Sequence, residues 1–68
     1  MIIYSVEYAL KHEGIQSYTL HKTREEALER VQGLMTFVKD NFMETFTQVR
    51  ADFLESAYHE IYIEEFLL

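Results

Sequence analysis

Apolar residues recur along the chain with two different periods, and the change from one to the other divides it. Ile2, Tyr4, Val6, Tyr8 and Leu10 alternate with Ile3, Ser5, Glu7 and Ala9. A period of two with β-branched and aromatic enrichment predicts a strand whose first set faces the core. Lys11-His12-Glu13-Gly14 is a polar tetrapeptide ending in a residue able to take positive φ, and Ile15 to His21 again favours extended backbone. The two segments together predict a β-hairpin.

The period then lengthens. Ala27, Val31, Leu34, Val38, Phe42, Phe46, Val49 and Phe53 follow one another at steps of three or four, with Leu28, Met35 and Leu54 widening the stripe, which predicts a core-facing helical run from Thr23 to Leu54. Thr23-Arg24-Glu25-Glu26 has the form of a capping box: the Thr23 hydroxyl accepts from the Glu26 N–H, and the Glu26 carboxylate reaches back to the N–H of Thr23. Glu25 and Glu26 also sit in the first turn, where the helix macrodipole favours carboxylates. Unbroken, the run would extend roughly 45–50 Å, longer than a strand of seven to ten residues can cover. Two helices meeting near Asp40-Asn41 are therefore expected, because short polar side chains there compete for backbone hydrogen bonds. Gly33 is a second place for a break. A continuous helix would need another subunit to cover its overhanging phenylalanines.

Glu55-Ser56-Ala57 reads as a connector, and Tyr58 to Leu68 returns to extended preference, with Ile61, Ile63 and Leu67 on one side and Glu60, Tyr62, Glu64 and Phe66 on the other. The expected fold is α+β, a two-layer β-β-α(-α)-β arrangement with a small antiparallel or mixed sheet and its helices on one face. The chain has no proline, and the hairpin loop, Asp40-Asn41 and residues 55–57 are the only reversals that local signals mark.

Composition bounds the rest. Sixty-eight residues make one domain, and a chain this short buries only about 60% of the surface its unfolded form exposes. So many apolar residues in so small a body favour a homodimer. The absence of cysteine excludes disulfides and thiolate zinc sites and fits a cytoplasmic location. The apolar start is interrupted by Ser5 and Glu7 and lacks the flanks of a signal or spanning segment.

Candidate chemistry is sparse. His12, His21 and His59 are spaced for neither a metal site nor a catalytic pair, and read as solvated or edge histidines. Neighbouring carboxylates such as Glu64-Glu65 point to opposite faces of a strand, unlike a glycosidase pair. Two glycines cannot build a phosphate loop or a nucleophile elbow. No enzymatic activity and no cofactor are expected.

Charge is more informative. Residues 1–39 hold five acids and five bases, whereas residues 40–68 hold seven acids against Arg50 alone, so the whole net charge of -6 falls on the second half. Direct nucleic-acid binding is disfavoured, because phosphate repulsion would have to be overcome by six scattered bases. Glu60 and Glu64 lie on one strand face about 13 Å apart, on the scale of two phosphate steps along a DNA strand, with aromatic residues beside them. In size, acidity and lack of cysteine or catalytic motif, the chain resembles the small acidic proteins that bacterial viruses make to disable host DNA-binding proteins. Some of those are dimeric DNA mimics directed at nucleoid proteins such as HU. That resemblance implies a phage-encoded inhibitor, acting in the host cytoplasm, that occupies the DNA-binding surface of a basic protein. The residues expected to meet the partner are Asp52, Glu55, Tyr58, Glu60, Tyr62, Glu64, Glu65 and Phe66. The competing expectation is a homodimeric assembly module, its last strand paired with that of a second copy and its acids merely solvated.

Overall fold

The computed structural model describes residues 1–68 and shows an α+β fold of one helix and one five-stranded antiparallel sheet. Strands β1 (Ile2–Leu10) and β2 (Gly14–His21) form the expected hairpin, and Gly14 closes its loop at φ 87°. Helix α1 (Arg24–Phe42) follows, then β3 (Thr47–Arg50), β4 (Phe53–Glu55) and β5 (His59–Leu67). The sheet order is β2-β1-β5-β4-β3, which makes β2 and β3 the edges. The last strand is central, paired with β1 and β4 on its two sides, and so is not free to pair with that of a second copy as expected.

The helix begins where the sequence marks it. Thr23 is extended, at φ -129°, and its Oγ1 accepts from the Glu26 N–H at 3.2 Å. The return bond differs from a capping box, since the Glu26 carboxylate accepts from the Lys22 N–H at 3.4 Å. Ala27, Val31, Leu34 and Val38 are buried against Val6, Tyr8, Leu54 and Ile61, with Tyr4, Met35 and Ile63 packed around them. The inward set of β1 is thus the one that its alternation indicates.

The helical run does not reach Leu54, and there is no second helix. At 1.5 Å per residue α1 is about 28 Å long, close to the roughly 30 Å of the nine-residue strands that it covers. Beyond Phe42 a continued helix would have left the sheet. The Asn41 side chain donates to the Phe37 carbonyl at 2.8 Å, and Met43 takes the left-handed conformation at φ 58° while its N–H bonds the Lys39 carbonyl. Gly33 lies within the helix without breaking it. Phe46 still enters the core, but from the loop, while Val49 is exposed on β3 and Phe53 and Leu54 belong to β4. The β3–β4 hairpin adds a reversal at Ala51-Asp52 that no glycine, proline or asparagine announces. Glu55 ends β4, so the connector is Ser56-Ala57-Tyr58.

Candidate functional site

A single helix covers one face of the sheet and leaves the other bare. Antiparallel partners share a face, so the pairings assign the bare one. Glu7 stands opposite Tyr18 and Tyr62, Ser5 opposite Leu20 and Glu64, Ala9 opposite Ile15 and Glu60, and Ile3 opposite Phe66. Farther across, Phe53 faces Tyr62 and Arg50, and Glu55 faces Glu60 and Thr47. The small Ser5 and Ala9 are buried even on this uncovered side, beneath the larger side chains of β2 and β5.

One row crosses all five strands. The Arg50 guanidinium lies 5.3 Å from the centroid of Phe53, whose ring stacks on Tyr62 at 4.7 Å and 27°. Glu7 and Tyr18 continue the row on β1 and β2. Stacking and the cation over the ring order the Arg50, Phe53 and Tyr62 side chains against one another. Glu60 and Glu64 lie diagonally on either side of Glu7, each about 7–8 Å away by strand geometry. Three carboxylates therefore surround Tyr62. Burial pushes the Tyr62 phenol above its usual value, the charges of Glu60 and Glu7 push it the same way, and Arg50 opposes them. Glu55 is engaged with Lys11 at 3.0 Å.

Of the residues read from the sequence as a partner surface, the fold brings Glu55, Glu60, Tyr62, Glu64 and Phe66 onto this face. Asp52 is instead in the β3–β4 turn, paired with Arg50 at 3.2 Å. By strand alternation Glu65 belongs to the helix side, where its charge, after burial, raises the Tyr4 phenol. Tyr58 stands exposed in the β4–β5 turn with its ring 6.1 Å from that of His12. Two further acids of the second half lie away from this face, Asp40 in the last turn of α1 and Glu44 in the loop after it. Glu7, Phe53, Tyr18 and Leu20 are the members that sequence reasoning missed. The alternation of β1, with helices on one face only, does put Glu7 on the uncovered side, but only the β1–β5 register brings it between Glu60 and Glu64.

A second polar cluster lies on the helix side of the sheet, at the start of β5. His59, read as a solvated or edge histidine, is 1% exposed. It is inward-facing on β5, stacked on Tyr8 at 5.8 Å and set 4.7 Å from the Phe42 ring. Its Nδ1 lies 2.9 Å from Glu44 Oε1, which also accepts from the Ser56 hydroxyl at 2.6 Å and the Tyr58 N–H at 3.0 Å. A carboxylate only accepts, so the His59 proton belongs on Nδ1. These bonds hold the Glu44 carboxyl at about 2, the Ser56 hydroxyl first among the causes and His59 also contributing. Serine, histidine and glutamate are the residue types of a nucleophilic triad, but the connectivity differs. The hydroxyl is buried and donates to the carboxylate, and the free Nε2 is enclosed with no partner. The arrangement fastens the loop after α1 to the β4–β5 turn.

Helix α1 lies over β1, β2 and β5 and stops short of β3 and β4. The gap is a cleft of about 520 Å³, floored by Ala27, Leu28, Leu54 and Ile63, with Arg24, Gln32, Gln48 and Asp52 among its polar lining. No helix is long and apolar enough to cross a membrane. Comparison with protein-family models, with curated proteins and with solved structures found no match for this chain.

Proposed function

We propose that the protein is a non-enzymatic binding protein of the cytoplasm whose bare sheet face docks on the basic surface of a DNA-binding protein, such as the nucleoid protein HU, and excludes DNA from it. The observation that carries this reading is the interleaving of Glu7, Glu60 and Glu64 with Tyr18, Phe53, Tyr62 and Phe66 on one uncovered face. Carboxylates so placed meet the lysines and arginines that otherwise hold phosphates, and the rings supply contact area that charge alone lacks. The net charge of -6 would speed encounter with a basic partner over distances of about a Debye length, roughly 10 Å at 0.1 M salt. Flat, rigid aromatic side chains lose little conformational freedom on docking.

Titration of the protein against purified HU or another basic nucleoid protein, at low and moderate salt and with duplex DNA as competitor, tests the reading. Binding that weakens as salt rises and that DNA displaces supports it. Failure to bind any basic DNA-binding protein at low salt refutes it.

A further inference from the structure

The two edges of the sheet are guarded very differently. Edge strands present a row of unpaired N–H and C=O groups, and proteins that stay monomeric blunt them with charge, proline, short length or bulges. At β3 the edge has four residues, a register shift between Gln48 and Arg50, and a charged side chain. At β2 it has eight residues with no proline, lysine, arginine, aspartate or glutamate among them. Its one irregularity lies at the hairpin end, opposite Tyr8 and Ala9, and leaves Ser17–His21 in regular register with β1. Ile15, Tyr18 and Leu20 along it are 61%, 51% and 62% exposed.

We propose that β2 pairs antiparallel with β2 of a second copy of this chain, joining two five-stranded sheets into one continuous sheet about a two-fold axis. Antiparallel pairing of a strand with itself is self-complementary, as a two-fold interface requires. Copies of a chain carrying -6 repel one another over most of their surface, and β2 is a long edge where that repulsion is absent. The flanks add attraction. The strand is preceded by Glu13 and followed by Lys22, and antiparallel pairing sets the acidic end of each copy beside the basic end of the other, twice. Residues paired across the axis share a face, so both helices lie on one side of the joined sheet and both bare faces on the other. The dimer then presents one uninterrupted face of twice the width. This inference does not rest on the identity of any other partner.

Sedimentation equilibrium over a range of concentrations tests it, with circular dichroism to establish folding. The wild-type chain is expected at twice its monomer mass. The double variant Tyr18→Lys/Leu20→Lys, which sets like charges across the axis at exposed positions, is expected at monomer mass with an unchanged spectrum. Val49→Lys, on the β3 edge, is expected to remain dimeric. Amide exchange of the wild-type chain supplies a readout that needs no variant, because outward-facing amides between Ser17 and Leu20 should gain protection as concentration rises. A monomeric wild type, a folded double variant that still dimerises, dissociation by Val49→Lys, or protection independent of concentration would each overturn the proposal.

Discussion

Glu44 Oε1 lies 2.9 Å from Nδ1 of His59, and through that contact the loop leaving the helix is tied to the start of the last strand. The same carboxylate takes the Ser56 hydroxyl and the Tyr58 N–H, so one side chain satisfies two donors of the β4–β5 turn and one at the start of β5. The fold places no other anchor of this kind on residues 43–46, where the chain reverses without glycine or proline.

The pH dependence of stability follows from that carboxylate. The Glu44 carboxyl is lowered from 4.5 to about 2 in the folded protein, first by the Ser56 hydroxyl and then by His59 and the Tyr58 N–H. A depressed value means that its contribution is fully present above the unfolded value and is lost as pH falls from about 5 through about 2. Urea unfolding midpoints of the wild type should therefore drop across that window. Glu44→Gln should be less stable at neutral pH and show a flatter acid limb. Parallel curves for the two proteins would mean that Glu44 does not titrate in this way.

Removal of the helix cap should have a smaller, local effect. Thr23→Ala deletes the oxygen that accepts from the Glu26 N–H, and a loss of about 1 kcal/mol in unfolding free energy is expected. A loss within error would show that water replaces the hydroxyl at no cost.

Phe46 packs into the core from a loop and is 8% exposed. Phe46→Ala should cost about 3–5 kcal/mol, enough to leave so small a domain partly unfolded at room temperature. Chemical denaturation would reveal a near-neutral outcome, which would mean that the loop collapses to fill the space.

Met43 is the one non-glycine residue at positive φ, and its side chain is almost wholly exposed. A left-handed conformation costs an L-residue about 1–2 kcal/mol. Glycine removes that strain but adds about 0.4–1 kcal/mol of unfolded-state entropy. Met43→Gly should therefore raise the melting temperature slightly, and a lower value would show that the methionine makes contacts worth more than the strain.

For the binding face, Glu60→Gln/Glu64→Gln should keep the strand and weaken binding to a basic nucleoid protein, with a flatter salt dependence. Glu7 cannot serve as a control from the charge-balanced half, because it stands on the same face opposite Tyr62. Glu25→Gln/Glu29→Gln on the exposed side of α1 removes equal charge from the other layer. Calorimetric titration of both double variants separates local recognition from net charge. Equal weakening would assign the effect to overall charge alone.

The elements that neighbours in sequence determine are legible in the sequence alone. The period of two in Ile2–Leu10, the cap at Thr23 and the stripe of Ala27, Val31, Leu34 and Val38 are set by backbone preference and side-chain direction over a few residues. The exit from the helix was only half legible. Asn41 marked the place, but Phe46, Val49 and Phe53 keep a helical spacing on segments that became loop and strand. What ends the helix is the length of sheet beneath it, together with the contacts of Glu44 with Ser56 and His59, and these arise only when distant segments meet. The same reason separates the charge pattern from the candidate site. Counting acids along the chain divides it into two halves, whereas the β1–β5 register places Glu7 with Glu60 and Glu64 and turns Glu65 to the other side. Pairing between distant strands decides which side chains share a face, and the reach of a single helix decides which face stays bare.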